Sequence, residues 1–278
     1  MTARVVLVTG ASSGIGETTA RRLAALGHIV YAAARRVERM ESLAKDGVRV
    51  LPLDVTDEAS LTACVQTILD ETGRIDVLVN NAGYGSFGAL EDVPLDEARK
   101  QFEVNIFGLA RLIQLVLPTM RAQASGTIVN ISSAGGKVAE PLGSWYHATK
   151  FAVEGLSDSL RLELKPFGID VVIIEPGAIR TEWNTIARAT LMKTSGDTAY
   201  GEQAESVRRV FLEADAPGWG SEPSVVADAI VAAVEARRPK IRYAVGARAR
   251  SAVIGSRLLP DRAMDAVVRR IFRPDAPR

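Results

Sequence analysis

The stretch Thr9-Gly10-Ala11-Ser12-Ser13-Gly14-Ile15-Gly16 decides the fold that the sequence predicts. It follows a short apolar strand, Arg4–Thr9, and opens an amphipathic helix, Ile15–Leu26. Glycines spaced GxxxGxG allow a tight turn, close approach of the backbone to a phosphate, and close helix–strand packing. The helix N-terminus offers unpaired N–H groups to an anion. A glycine-rich turn without a ligand is the alternative, but the flanking strand and helix favour a dinucleotide site.

The rest of the chain continues this alternation of strands and helices. Further strands are predicted at Ile29–Ala34, Val48–Leu53, Val77–Asn80, Thr127–Ile131, Ile169–Glu175 and Lys240–Val245. Helices are predicted at Glu58–Glu71, Leu95–Gln123, Ser144–Lys165 and Ser224–Ala236. Nearly continuous apolar strands separated by helices indicate a parallel sheet covered on both faces. With right-handed crossovers, this predicts a single-domain α/β fold, a Rossmann-type doubly wound parallel sheet with helices on both faces.

The domain is predicted to span residues 1–246. Periodicity weakens over about 180–221, which predicts a substrate loop with one or two short helices above the sheet. Residues 247–278 form a basic C-terminal extension, with a helix predicted at Asp261–Phe272.

Composition narrows the class of protein. A chain of 278 residues with 47% hydrophobic and 24% charged residues is typical of a soluble globular protein. The net charge of +1 gives no strong field for nucleic acid. The single cysteine, Cys64, cannot form an internal disulfide, and with only two histidines no metal site is expected. No stretch suits a signal peptide or reaches the roughly 18 apolar residues of a transmembrane helix, so we expect a cytoplasmic protein.

The end of the second strand predicts which dinucleotide binds. An acidic residue at this position is typical of NAD sites, whereas arginine pairs with a 2′-phosphate. Here the strand ends in Arg35 and Arg36, with no Asp or Glu before them. We therefore expect NADP(H) to be preferred over NAD(H), with a solvated arginine pair as the alternative.

Tyr146 and Lys150 are the candidate catalytic pair. On a helix, residues four apart share one face. A nearby ammonium favours the phenolate and lowers the pKa of a tyrosine, which suits an acid or base in hydride transfer to a carbonyl. Ser133 ends a strand thirteen residues before Tyr146, where α/β sheets bind their ligands. Its hydroxyl could therefore hold the carbonyl oxygen beside the phenol.

The motifs together identify a resemblance to the short-chain dehydrogenase/reductase family, within it the hydroxysteroid and retinol dehydrogenase branch. They occur in the family's order: TGASSGIG at Thr9–Gly16, LDVTD at Leu53–Asp57, NNAG at Asn80–Gly83, Asn105, ISS at Ile131–Ser133, YHATK at Tyr146–Lys150, and PG at Pro176–Gly177.

The resemblance implies a role for each matching residue. Tyr146 would be the general acid/base, Lys150 would lower its pKa and bind the nicotinamide ribose, and Ser133 would orient the substrate oxygen. Asn105 would hold a water in a proton relay. The implied cofactor contacts are Gly10, Ser12, Ser13, Gly14, Ile15, Gly16, Arg35, Arg36, Asp54, Val55, Asn81, Ala82, Gly83, Tyr146, Lys150, Pro176, Gly177, Ile179 and Thr181.

Several alternatives remain open for individual residues. Asp54 could mainly cap a turn, Gly83 and Gly85 could serve loop geometry, and Asn105 could be a structural helix residue. His147 adjoins Tyr146, but adjacent helical residues point about 100° apart, so we expect it to face elsewhere. Two other functions also remain open, an epimerase or dehydratase on the same scaffold and a non-catalytic NADP(H) sensor.

The expected substrate is a lipophilic ketone, aldehyde or alcohol. The predicted surroundings of the nicotinamide face carry few fixed charges, and such sites favour apolar ligands. They include Tyr84, Phe87, Pro141, Leu142, Trp145, Trp183, Leu191 and Met192.

The C-terminal extension is strongly basic. From Arg237 to Arg278 there are twelve Lys/Arg and three Asp/Glu, a net charge of +9. Three interpretations stay open: a solvated tail, a docking element in a homo-oligomer, and a peripheral contact with an anionic membrane. Because Met264, Val267, Val268 and Ile271 lie at helical spacing, this helix could pack on a neighbour or on its own core.

Overall fold

A parallel sheet organises the computed structural model, which describes residues 2–216 and 218–273. Within these residues the strands are β1 (Val5–Thr9), β2 (Ile29–Ala34), β3 (Arg49–Pro52), β4 (Val77–Asn80), β5 (Gly126–Ile131), β6 (Ile169–Pro176) and β7 (Arg242–Val245). Their order is β3-β2-β1-β4-β5-β6-β7 and every pairing is parallel. The predicted doubly wound sheet is therefore confirmed.

Helices connect the strands. They are α1 (Gly14–Ala25), α2 (Glu41–Lys45), α3 (Glu58–Thr72), α4 (Leu95–Phe102), α5 (Leu109–Ala122), α6 (Ser144–Leu164), α7 (Glu182–Ser195), α8 (Gly201–Asp215), α9 (Pro223–Glu235), α10 (Ala249–Leu258) and α11 (Asp261–Ile271). Short 3₁₀ turns lie at Val37–Met40, Ala134–Gly136 and Lys165–Phe167, and a π turn lies at Glu103–Gly108.

Both faces of the sheet are covered, as nearly continuous apolar strands require. Alternate residues of β1 enter two separate buried clusters. Val5 and Leu7 pack in a cluster that includes side chains of α3, α5 and α6. Val6 and Val8 pack in the other, which includes side chains of α1 and α9. Because helices cover both faces of the sheet, the carboxyl ends of the strands are left to form a binding site.

Three parts of the fold differ from the sequence expectation. The region 180–221 holds two helices of 14 and 15 residues, α7 and α8, rather than short ones. The predicted helix Leu95–Gln123 forms as one helical segment ending at Ala122, but it changes to π geometry at Glu103–Gly108, between α4 and α5. The C-terminal extension contains a helix, α10, that was not predicted. Its residues 274–278 lie outside the described residues.

One continuous helical segment, Leu95–Ala122, is long and apolar enough to cross a membrane by length and composition. Its apolar side chains Leu109, Leu112, Val116 and Met120 are buried in the core against β-strand residues. A core helix of a globular domain has this same character, so the segment is weak evidence for a membrane span.

Candidate active site

The glycine turn brings the start of α1 against the loop that follows β4. Gly10 has φ +65°, and a Cβ placed on it would lie 2.8 Å from the Cα of Ala82. A Cβ on Gly16 would lie 2.5 Å from the carbonyl oxygen of Gly10. Any larger residue would force the turn and the β4 loop apart, because both approaches are to backbone atoms.

Side chains fasten this junction between β1 and β4. The Thr9 hydroxyl accepts hydrogen bonds from the N–H groups of Asn81 and Ala82, each at 3.0 Å. The Asn81 amide donates to the carbonyl of Thr9 at 2.9 Å. The junction is the switch point of the sheet, where doubly wound folds bind ligands.

A cavity of about 660 Å³ opens at this edge of the sheet. The predicted cofactor contacts that line it are Gly10, Ser12, Ser13, Gly14, Ile15, Arg35, Arg36, Asp54, Val55, Asn81, Ala82, Gly83, Tyr146, Lys150, Pro176, Gly177, Ile179 and Thr181. Ser133 lines it as well. Two predicted residues, Gly16 and Asn105, do not line it, and Gly16 instead permits the close packing of α1.

The residues around the glycine turn fit a phosphate-bearing dinucleotide. The N-cap of α1, Ser13, makes no side-chain capping bond, so the first N–H groups of the helix remain available to an anion. Arg35 is exposed at the cavity and has no ion pair with any acidic residue of the described chain. Arg36 donates to the Ser12 hydroxyl at 3.3 Å and lies 3.6 Å from Glu182.

Asp54 caps a turn and lines the cavity at the same time. Its carboxylate accepts hydrogen bonds from the N–H and hydroxyl of Thr56, at 3.0 and 2.7 Å. The capping alternative is therefore realised, and the residue still lies where a contact to adenine is predicted.

Tyr146 and Ser133 meet in the cavity. Ser133 lies just beyond β5, where its hydroxyl accepts the N–H of Gly135 at 2.9 Å and caps a 3₁₀ turn. The phenol of Tyr146, which is only 8% exposed, lines the same cavity close enough to Ser133 for that side chain to lower its pKa. The hydroxyls of Ser133 and Tyr146 could both donate a hydrogen bond to one carbonyl oxygen in this cavity.

Lys150 is anchored one helical turn beyond Tyr146. Its ammonium donates to the carbonyl of Ile131 at 2.9 Å and lies 5.9 Å from the centre of the Tyr146 ring. Burial lowers the pKa of Lys150 to about 8, and the carboxylate of Glu154 partly opposes this. Glu154 is buried, with Lys137 at 2.7 Å and Arg242 at 3.1 Å. Glu154 lies four residues after Lys150 on the same helix, and this spacing could have identified Glu154 as a neighbour of Lys150 from the sequence.

The pKa of Tyr146 differs from the sequence expectation. Burial raises it, the neighbouring Ser133 side chain lowers it, and the negative charge of Glu140 raises it further. The net shift is upward because the ring packs among apolar neighbours while Lys150 donates to a backbone carbonyl. The phenol is thus protonated at neutral pH, and a lowering of its pKa by Lys150 stays a prediction.

Asn105, in the π turn, forms hydrogen bonds to two other segments of the chain. Its amide donates to the carbonyl of Tyr84 at 3.0 Å and to the Thr149 hydroxyl at 3.1 Å, and its oxygen accepts the N–H of Tyr84 at 3.1 Å. This ties the loop after β4 to α6. The geometry supports the structural alternative, and the predicted role with a relay water stays a prediction.

His147 anchors the loop that leads into α6. Its Nε2 accepts the N–H of Glu140 at 3.0 Å, which requires that nitrogen to be unprotonated. Its Nδ1 therefore carries the proton and donates to the carbonyl of Gly135 at 2.8 Å. Both ring nitrogens are thus engaged with the backbone of one loop.

An aromatic group forms one wall of the cavity. Phe87 contacts the rings of Tyr146, Trp183 and Phe211, with centroids 5.0–5.8 Å apart. Of the residues predicted near the substrate, Tyr84, Phe87 and Trp183 line the cavity, and Leu142 and Leu191 are buried behind it. The expectation for Trp145 was wrong. Its ring lies 6.2 Å from that of Phe102 in a separate surface groove, because adjacent helical residues point in different directions.

The C-terminal helices form another wall. Residues of α10 and α11 and Phe272 after them line the cavity: Ser251, Ala252, Gly255, Met264, Val267, Val268, Ile271 and Phe272. Phe272 is buried in the same cluster as Phe87 and Tyr146. Residues 247–273 therefore pack on the domain, which excludes a wholly solvated tail for that part.

Comparisons with known proteins identify the family of this chain. The family model for short chain dehydrogenases matches residues 4–191. A 3-ketodihydrosphingosine reductase of Bacteroides thetaiotaomicron is 39% identical over 88% of this chain and 89% of its own. An NADPH-dependent 3-dehydrocapnine reductase of Ornithobacterium rhinotracheale is 34% identical over 95% of each chain. The chain belongs to the short-chain dehydrogenase family and is an oxidoreductase of carbonyl and alcohol groups.

Solved structures show the same fold. A short-chain dehydrogenase from Streptomyces avermitilis superposes with a TM-score of 0.79 and 37% identity, covering 96% of this chain and 94% of that one. A serine dehydrogenase complexed with NADP+ has a TM-score of 0.73 and 28% identity over 86% and 92%. A family member from Burkholderia phymatum in complex with NAD has a TM-score of 0.78 and 25% identity over 99% and 98%. Both cofactors thus occur among similar proteins.

Proposed function

We propose that this protein is an NADP(H)-dependent oxidoreductase that interconverts a lipophilic ketone or aldehyde and its alcohol. One observation carries the proposal: the paired hydroxyls of Ser133 and Tyr146 lie in a single cavity with the glycine turn and Arg35. A bound nicotinamide would supply or accept the hydride.

The chain's own residues supply the proton and orient the substrate. Ser133 and Tyr146 both hydrogen-bond the carbonyl oxygen, and Tyr146 donates its proton to that oxygen in the reducing direction. Its protonated state in the free protein suits this role. Lys150 serves the cofactor ribose and the phenol. Asn105 ties the loop after β4 to α6, the helix that carries Tyr146 and Lys150.

The lipophilic character of the substrate rests on the aromatic wall and the apolar side chains of α11. It is also consistent with the similar reductase that acts on the lipid-like 3-ketodihydrosphingosine. The experiment is to follow NADPH absorbance with a panel of apolar ketones of increasing chain length. Net oxidation supports the proposal, whereas cofactor binding without turnover would favour the epimerase, dehydratase or sensor alternatives.

The preference for NADP(H) leads to a prediction for Arg35. We expect Arg35→Ala to weaken NADPH binding by about tenfold to hundredfold, because a charge-assisted contact to the 2′-phosphate is lost. Binding of NADH should change little. Fluorescence titration of both cofactors checks this, with Arg99→Ala, an exposed arginine on α4, as the control. Equal losses for NADPH and NADH, or tighter NADH binding by the wild type, would contradict it.

We also propose a cytoplasmic protein that forms a homo-oligomer and touches membranes peripherally. For the oligomer, the support is exposed apolar side chains on α4–α6, including Leu95, Phe107 and Phe151. For the membrane, it is α10, where Leu258 and Ile254 are 76% and 55% exposed beside basic Arg250 and Arg257. A division of the chain at residue 246 stays a prediction.

The membrane contact predicts a vesicle-binding defect. We expect the double variant Ile254→Asp/Leu258→Asp to bind vesicles of anionic phosphatidylglycerol at least about tenfold more weakly than the wild type. Co-sedimentation measures this, with Leu162→Asp on α6 as the control and phosphatidylcholine vesicles for comparison. If the wild type pellets with neither vesicle, the membrane contact is excluded.

A further inference from the structure

Glu140 presents a carboxyl group to the catalytic cavity. It lines the same cavity as Tyr146 and Phe87, on the loop between the 3₁₀ turn after β5 and the start of α6. Its charge is close enough to Tyr146 to raise the pKa of the phenol. A charge so near the reacting centre affects any substrate that binds there.

This carboxylate has no ion-pair or hydrogen-bond partner in the part of the chain that the structure describes. It makes no ion pair and accepts no hydrogen bond there. The ammonium of Lys150 is engaged with the carbonyl of Ile131 and with the charge of Glu154. His147 lies close enough to affect the pKa of the Glu140 carboxyl group, but both of its ring nitrogens are engaged with the backbone of Glu140 and Gly135. The Glu140 side chain is half-buried, and burial raises the pKa of its carboxyl group. A cation bound beside it would therefore favour the ionised form.

The loop holds Glu140 in place. Its own N–H is fixed by His147, and the carbonyl of Leu142 accepts the N–H of Gly88 at 2.7 Å. Leu142 has φ +59°, a left-handed conformation that a leucine adopts only when its surroundings impose it. Strained residues of this kind cluster at ligand sites. The anchoring uses backbone atoms, so the Glu140 side chain is left free for a ligand.

We propose that Glu140 forms a subsite for a positively charged amino group close to the reacting carbonyl of the substrate. The inference rests on the proposed function and narrows its substrate class to lipophilic amino ketones and the corresponding amino alcohols. The apolar walls hold the chain of such a molecule. In the low dielectric of the cavity, the ammonium and the Glu140 carboxylate attract each other much more strongly than in water.

The kinetic test compares two ketones of equal chain length, a long-chain 2-amino-3-ketone and the same ketone with hydrogen in place of the amino group. The readout is the ratio of their kcat/KM values with NADPH. The wild type should prefer the amino ketone by about tenfold to hundredfold, the range of a hydrogen bond between charged groups. In Glu140→Gln, which keeps the shape and the backbone anchor, this ratio should fall at least about tenfold. Glu163→Gln, an exposed site on α6, is the matched control and should keep the ratio.

A binding test separates this inference from the proposed function. Calorimetry with decylammonium and decanol, below their aggregation limits, needs no turnover. We expect the wild type to bind decylammonium at least about tenfold more tightly than decanol, and Glu140→Gln to lose that difference. If neither ketone is reduced but this discrimination is found, the proposed function fails and the subsite stands. If the wild type shows no preference for the amine, or Glu140→Gln keeps it, the subsite is excluded.

Discussion

Replacing Tyr146 by phenylalanine is expected to lower kcat by about 10²- to 10⁴-fold, the range in which a positioned acid or base contributes. The ring stays packed against Phe87 and Trp183, so the cavity keeps its shape. Only the hydroxyl that shares the cavity with Ser133 is removed, and with it the proton for the carbonyl oxygen. The NADPH dissociation constant should therefore stay within about threefold of the wild type, since no phosphate contact is lost.

Tyr84→Phe is the matched control for this experiment. Tyr84 also lines the cavity, but its hydroxyl lies 3.1 Å from the carboxylate of Glu97, away from Ser133. Stopped-flow or steady-state NADPH oxidation and a fluorescence titration of NADPH measure the two effects. Full turnover in Tyr146→Phe would refute the mechanism, whereas loss in both variants would indicate damage to the cavity instead.

Lys150→Ala is expected to impair cofactor binding and turnover together. The variant removes an ammonium that is tied to the end of β5 through Ile131, directly before Ser132 and Ser133. We expect kcat/KM for NADPH to fall by about 10²-fold or more, because one charge serves both cofactor and phenol. If kcat falls but the KM for NADPH stays unchanged, Lys150 would act on the phenol alone and would not bind the cofactor.

The pH profile gives a second measurement for Lys150. Because burial lowers its pKa to about 8, the ammonium is present below that pH and is lost as the pH rises through it. The wild-type kcat/KM for NADPH, which reports the free enzyme, should therefore decline above about pH 8. Lys150→Ala should lack this decline, and Lys45→Ala, an exposed site, should keep it. An unchanged alkaline limb in Lys150→Ala would contradict the assignment.

Much of the fold could be predicted because buried parallel strands leave a simple pattern. β2 and β4 begin and end at the predicted residues, since each is a buried and mainly apolar run, and β4 ends in the polar residue Asn80. The glycine turn was also predictable, because few residues other than glycine tolerate the positive φ of Gly10 or the backbone contact at Gly16.

The remainder depends on contacts between distant segments. Trp145 was placed at the substrate because it adjoins Tyr146, yet its helical angle turns it toward Phe102. α10 has little local signal, since its buried residues Ala249 and Val253 become a core face only against the rest of the domain. The segment Glu140–Trp145 was expected to surround the nicotinamide, but no role was predicted for Glu140, because nothing in the sequence indicates that its carboxylate faces the cavity without an ion pair.

Different parts of the chain line different walls of this cavity. The residues proposed for cofactor binding and proton transfer lie between Gly10 and Thr181, whereas Met264, Val268 and Phe272 come from the last described residues of the chain. Evolution can therefore alter the final segment and change which molecules enter without disturbing the chemistry. Diversity of substrates among relatives would then accumulate at the end of the sequence, while the reaction itself stays inherited from its beginning.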